Sequence, residues 1–402
     1  MKNKQLILTG LVSLVLAGAA SADLTVNITG ATAFRAAANT SIIALLGGSG
    51  TTVYAFDNTT GASAGASNRA IYRGTVSGLG TVTVRASWSG STAGIAAVAA
   101  GTAVQVFKTT TTMTTTGNSI TPGTDFETAP ASFAFSDVAQ AASTTLSPAL
   151  VGSTVGVVPF EFMANQSSHS HPLMTNMTDQ IMAAIYSTSE VPLRAFTGTP
   201  GEDKRVLATG RNNGSGSRAT VLGETRYGFF NNVQQYRNYE TGGHTGTGAI
   251  AKLDFIGNGG NSSNSFLREL MKGTSDAVDL FESTSATPNV AFEEDASVLL
   301  VTYLTRSDAI LAAVDPDGAG PLKGGKPLTY NGVPFSDDAV RQGAYTLWGY
   351  QWLYQAPSIT ADETTFRNVF TGTIPANLGT AAIPIPSMVA TRSGGDGGPV
   401  TP

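Results

Sequence analysis

Three short turns in this chain carry the residue types that hold small oxyanions. The first, Thr29-Gly30-Ala31-Thr32, follows the alternating stretch Leu24 to Ile28 and precedes a helical pattern from Ala33 to Leu46. The second, Ser87-Trp88-Ser89-Gly90-Ser91-Thr92, follows Thr81 to Ala86 and opens into the alanine-rich stretch Ala93 to Ala100. The third, Gly210-Arg211-Asn212-Asn213-Gly214-Ser215-Gly216-Ser217, follows Arg205 to Thr209 and leads into a helix start at Arg218. A helix N-terminus presents unpaired backbone N–H groups and a partial positive charge, so Ser, Thr and Gly there either cap the helix or admit an anion. Arg211 adds a planar donor able to grip a tetrahedral oxyanion through two N–H groups at once. Taken singly, each turn also reads as an ordinary cap, and the third as a glycine-rich surface turn with a solvated arginine.

The elements that must position these turns repeat one pattern: strand, small-residue turn, helix. Strands alternating with helices predict an α/β fold with mainly parallel sheets flanked by helices. Later in the chain, Asp295 to Leu304 reads as a strand, Ser336 to Arg341 as a short helix or turn, Ala344 to Tyr354 as an aromatic-rich strand and Asp362 to Phe370 as a closing helix. Within that aromatic strand the two Trp are expected on one face and the Tyr mainly on the other unless a bulge intervenes, as core packing rather than a carbohydrate platform. The Thr-rich stretch Lys108 to Pro130 and the Gly, Ser and Asn-rich stretch Thr241 to Asn264 read as long loops. The tail from Ser393 onward, and residues 396–402 in particular, is expected to be disordered. No fixed-period repeat is present, which argues against solenoids and propellers.

Lys2 and Lys4, the apolar run Leu6 to Leu16 and the small-x-small site Ala20-Ser21-Ala22 read as a cleavable secretory signal over residues 1–22. The expected location is therefore the periplasm or the extracellular medium. No stretch approaches the ~20 apolar residues of a membrane span. Removing the two signal lysines takes the basic count from 23 to 21 against 28 acids, so the net charge moves from −5 to −7. A mildly acidic chain is a poor candidate for nucleic-acid binding, and an anion site in it must rely on local dipoles. With no cysteine at all, disulfide scaffolds, thiolate metal sites, a Cys nucleophile and a lipid-anchor cysteine are excluded.

Other motifs carry less. Gly61-Ala-Ser-Ala-Gly65 fits a nucleophile elbow in form but lacks a strand before it. Gly320-Pro-Leu-Lys-Gly-Gly-Lys326 nearly makes a P-loop, but Pro327 stands where a metal-binding hydroxyl is needed. His169, His171 and His244 have no patterned carboxylates and read as surface residues, and Asp315-Pro-Asp-Gly318 reads as a turn. Neither a catalytic set, a metal site nor a cofactor is expected.

The run Arg211-Asn-Asn-Gly-Ser-Gly-Ser217 resembles the Arg-x-Asp-Gly-Ser-Gly-Thr signature of the periplasmic phosphate-binding proteins of ABC importers. Other segments are similar to that family's loops in the same order. Ile28-Thr-Gly-Ala-Thr-Ala-Phe34 resembles the first ligand loop, Trp88-Ser-Gly-Ser-Thr-Ala-Gly-Ile95 the second, and Phe133-Ala-Phe-Ser-Asp-Val138 the Phe-Gly-Ala-Ser-Asp segment. Val155-Gly-Val-Val-Pro-Phe160 resembles the strand crossing to the second lobe, Arg194-Ala-Phe-Thr-Gly198 the segment before the third loop, and Gly343-Ala-Tyr-Thr-Leu-Trp348 the return strand.

The resemblance implies a two-lobed type II periplasmic-binding-protein fold, with a first lobe of residues 23–156 plus 305–395 and a second of 157–304. It implies a ligand site from Ala31, Thr32, Ala33, Phe34, Ser89, Ser91, Thr92, Asp137, Arg211, Ser215, Gly216 and Ser217, closing around inorganic phosphate or a similar oxyanion. Asp137 would set specificity, since a carboxylate accepts a hydrogen bond from a protonated phosphate and repels sulfate. The implied partner is an ABC permease in the membrane, and the implied state is a monomer. Two departures stand out: Asn213 replaces the aspartate that pairs with the signature arginine, and Arg35 stands where proline is common. Arg35 either contacts the ligand, closes the cleft or points to solvent. Two rivals are a surface structural or adhesive protein on the same fold without tight anion binding, and a phosphate-ester hydrolase, for which no nucleophile or metal pair is evident.

Overall fold

The computed structural model describes residues 23–58, 63–121, 123–239, 244–283, 290–314 and 324–401. The signal stretch 1–22 and the Asp315–Gly318 turn lie outside them, as do parts of the Gly61 and Gly320 motifs. The elements that build the site are, in chain order, β1 (Leu24–Gly30), α1 (Arg35–Leu45), β2 (Gly80–Ser87), α2 (Ser91–Ala100), β3 (Phe133–Ser136), β4 (Gly152–Ala164), β5 (Arg205–Ala208), α3 (Gly216–Glu224), α4 (Asn264–Lys272), β6 (Val298–Thr305), α5 (Arg306–Ala313), β7 (Trp348–Gln355) and α6 (Ala361–Thr373).

The strands lie in one thirteen-stranded sheet whose central order is β5-β6-β4-β7-β3-β1-β2. The α/β architecture is as expected, but the sheet is mixed rather than mainly parallel. β1 runs parallel to β2 and β3, and β5 parallel to β6, whereas β7 is antiparallel to both β3 and β4, and β6 antiparallel to β4. The reason is the long central strand. β4 takes β7 along Gly152–Pro159 and β6 along Phe160–Ala164, so antiparallel partners join the two parallel groups. Burial on both faces explains its near-continuous apolar run from Val155 onward.

The consequence for the site is geometric. β1, β2 and β3 run in the direction of β4, and β5 and β6 run against it. Their C-terminal ends therefore approach the middle of β4 from opposite sides, bringing the turns at 31–34, 88–92, 137–138 and 209–217 toward one place.

Other segments depart from the sequence reading. The Thr-rich stretch is not wholly loop: Asn118–Ile120 pairs with Val53–Asp57, and Phe126–Pro130 pairs with Ala103–Phe107. Phe126 meets Phe107 at 4.7 Å, a small core that holds the insertion to the sheet. Residues 241–264 include the strand Lys252–Phe255. His244 is buried rather than exposed. In β7, Trp348 packs on Tyr350 and Trp352 on Tyr354, so Trp and Tyr share a face, as residues two apart on a strand must. Residues 306–313 and 326–330 pack with the 157–304 group, α5 against α4 and β6, and Lys326–Tyr330 against the far half of β4. Up to Thr401 the tail is ordered: Thr391–Arg392 pairs with Val400–Thr401.

Helix α6 fastens the core beneath β3. Its capping box joins Thr360 and Glu363, and Phe366 and Phe370 pack on Phe133 and Phe135. Replacing Thr360 with alanine removes the cap and is expected to cost about 1 kcal/mol in urea unfolding.

Candidate functional site

The centre of the converging turns is the Arg211 guanidinium, which is 1% exposed. Its backbone is fixed first: the N–H donates to the Tyr303 hydroxyl at 3.1 Å, and the carbonyl accepts from Gln235 Nε2 at 3.1 Å. Nε then donates to the Asn261 carbonyl at 3.1 Å, Nη1 to Asn264 Oδ1 at 2.9 Å, and Nη2 to the Ser262 carbonyl at 2.9 Å and Thr32 Oγ1 at 3.2 Å. All of these partners are neutral. Among the described residues no carboxylate forms an ion pair with Arg211. Burial lowers its pKa, while Tyr303, Asp137 and Asp308 oppose that effect.

Asp137 is 1% exposed and follows directly on β3. Its backbone N–H donates to Ser91 Oγ at 3.1 Å, and its Oδ2 accepts from Ser217 Oγ at 3.3 Å. Its Oδ1 has no hydrogen-bond partner among the described residues. Burial pushes the carboxyl up to about 6, partly offset by Arg211 and by the Ser91 and Ser217 hydroxyls, and a further carboxylate, Asp396, adds to the rise. A second unpartnered atom is Asn264 Nδ2. Because Asn264 Oδ1 must accept from Arg211, the amide orientation is fixed and Nδ2 is a true donor.

The expected residues fall into three groups. Thr32, Ser91, Asp137, Arg211, Gly216 and Ser217 form one cluster. Gly216 is required there, since a Cβ would lie 2.2 Å from Ser91 Oγ and 3.0 Å from Asp137 Cβ. Thr92 and Ser215 stand at its rim: Thr92 Oγ1 donates to the Asn213 carbonyl at 3.3 Å, and Ser215 Oγ caps α3 by accepting from the Arg218 N–H at 3.3 Å. A cleft of about 220 Å³ that includes Thr92, Ser215, Arg218 and Phe229 opens beside them. Ala31, Ala33, Phe34 and Ser89 lie beneath. The Ala31 N–H donates to the Phe135 carbonyl at 2.8 Å, Phe34 packs on Phe135 at 5.0 Å with its N–H on the Ala31 carbonyl, and Ser89 shares a hydrogen bond with Thr29. Ala33 is buried.

Arg35 is buried rather than solvated: Nη1 donates to Asn68 Oδ1 at 3.0 Å. Burial lowers it to about 10, Asp308 opposes this, and Arg211 adds to it. The turn 261–263 and Asn264 were not singled out from sequence. They sit in a Gly, Ser and Asn-rich stretch, and only the N-cap pattern Ser263 before an apolar-periodic run marks a helix start there.

The raised Asp137 carboxyl has a stability consequence. Its folded value lies above its ordinary 3.8, so the folded state binds the proton more tightly. The contribution is full below about pH 4 and is lost as pH rises through about 6, on the order of 2 to 3 kcal/mol. The ligand-free protein is expected to melt at lower temperature at pH 7 than at pH 4.5, and an Asp137→Asn variant to show a flatter profile.

The arrangement is a buried cation lined by neutral groups, with one buried acceptor, Asp137 Oδ1, and one buried donor, Asn264 Nδ2, that have no hydrogen-bond partner among the described residues. No family model matches the chain, and no curated relative matches it. Among solved structures it is similar to an ABC-type phosphate transport receptor from Vibrio cholerae, at 12% identity and a TM-score of 0.44, over 89% of this chain and 99% of that one. It is also similar to PstS from Borrelia burgdorferi, at 13% identity and a TM-score of 0.39, over 90% and 99%.

Proposed function

We propose that this protein is an extracytoplasmic solute-binding protein that captures phosphate or a related oxyanion between two lobes and delivers it to an ABC permease. The observation that carries this reading is the buried Arg211 guanidinium without a carboxylate partner. A buried cation that lacks a counter-ion is costly, and an anion bound beside it would offset that cost. Asn213, in place of an acidic residue, leaves the guanidinium charge without a counter-ion there, although four of its five N–H groups already donate within the protein. Asp137 Oδ1 would accept the hydroxyl of a protonated oxyanion, and Asn264 Nδ2 would donate to another of its oxygens. Held in place by its own hydrogen bonds, the guanidinium would serve binding.

In this reading β4 is the hinge strand. The lobe of residues 23–156 includes the late segments around β7 and α6, and the lobe of 157–304 takes with it α5 and Lys326–Tyr330. Cleft closure would remove water and strengthen the hydrogen bonds to the ligand. The site asks nothing of a second copy, so a monomer suffices.

Thermal melting tests the reading simply. A receptor with micromolar affinity gains about 4 kcal/mol from phosphate at a thousand times its Kd, a rise of several degrees in Tm. No shift with phosphate, sulfate or arsenate would favour the structural or adhesive reading.

A further inference from the structure

The C-terminal segment 390–401 lies behind the candidate site and is tied to two of its elements. Arg392 is the anchor: Nη1 pairs with Glu224 Oε2 at 2.6 Å at the end of α3, Nη2 donates to the Trp348 carbonyl at 3.0 Å, and the guanidinium stacks on the Trp348 ring at 4.5 Å. Gly397 sits against α3 so closely, at φ +69°, that a Cβ would lie 2.5 Å from the Gly223 carbonyl. Asp396 then reaches the other element. Its Oδ2 accepts the Ala139 N–H at 2.6 Å, two residues after Asp137.

From this geometry, and resting on the oxyanion reading above, we propose that the 390–401 segment is a strap, with Asp396 as a positioning and specificity-determining residue. It fixes the turn that carries Asp137 to the helix that carries Ser217, and it places behind the Asp137 carboxyl a second one, which burial also pushes up to about 6 and which is negative above that pH. The charged groups facing Asp137 are Arg211 from the third turn and Asp396 from the strap, with the hydroxyls of Ser91 and Ser217. Asp396 itself faces Arg392, and Tyr354 lies beside it. Asp396 opposes ionisation of Asp137 where Arg211 favours it. The balance sets the pH below which Asp137 becomes a donor and sulfate is no longer excluded.

Asp396→Asn keeps an oxygen for the Ala139 N–H and removes the charge, so it separates positioning from electrostatics. The decisive measurement is the carbon-13 titration of the Asp137 side-chain carboxyl in ligand-free protein, its signal identified by loss in Asp137→Asn. The Asp137 midpoint is expected to fall by about half a pH unit or more in Asp396→Asn, since a like charge has gone. A chain ending at residue 390 removes the charge with the strap and is expected to shift it the same way, which serves if Asp396→Asn does not fold. An unchanged midpoint overturns the proposal. Phosphate and sulfate calorimetry on the same samples separates the two readings: wild-type protein that binds neither anion contradicts the receptor, while the carboxyl titration still decides the strap.

Discussion

Arg211→Met is expected to weaken phosphate binding on the order of a thousandfold while leaving the chain folded. The guanidinium is a formal positive charge at the centre of the cluster, and losing one partner of a buried, hydrogen-bonded charge pair costs about 4 kcal/mol. The substitution also leaves the Asn261 and Ser262 carbonyls and Asn264 Oδ1 without their donor, which opposes the relief of no longer burying a charge. The change in stability is therefore expected to be smaller than the change in affinity. Calorimetric titration with phosphate, paired with urea unfolding, reads both. A variant that folds and binds phosphate as wild type does would remove Arg211 from the site.

The second large effect is expected at Asp137. An asparagine there replaces an acceptor-only carboxylate by an amide whose N–H can donate to any oxyanion, so sulfate exclusion should collapse, with sulfate affinity rising on the order of a hundredfold. The wild-type protein has its own version of this change. Because burial pushes Asp137 up to about 6, its sulfate exclusion should fade as pH falls through that value, whereas Asp137→Asn should show no such limb. Titrations with phosphate and sulfate at pH 5 and pH 8 distinguish the two cases. Equal selectivity in wild type and variant at pH 8 would assign Asp137 a purely structural role.

Much of the site was legible because turn chemistry is local. The three turns stand where the sequence puts them, between β1 and α1, β2 and α2, and β5 and α3, since alternating apolar residues and small-residue caps are read directly from neighbouring positions. What sequence could not reveal depends on residues far apart in the chain. Asn264 meets Arg211 across 53 positions, and its loop composition gives no hint of that contact. Phe34 and Ala31 were implied as ligand contacts by the resemblance of their loop; in the structure the Phe34 ring packs on Phe135 and the Ala31 N–H donates to the Phe135 carbonyl. The tail looked disordered by composition. Its order comes from contacts with distant elements: Arg392 with α3 and β7, and Asp396 with the Ala139 N–H. The antiparallel joining of the sheet was equally hidden, since no single strand's sequence states its partner's direction.

The most direct test is isothermal titration of the refolded, ligand-stripped wild-type protein with inorganic phosphate at pH 8, with sulfate as the parallel arm. Phosphate binding at micromolar Kd or tighter, with sulfate at least a hundredfold weaker, is the expected result. Heat from neither anion would contradict an oxyanion receptor built on Arg211 and Asp137.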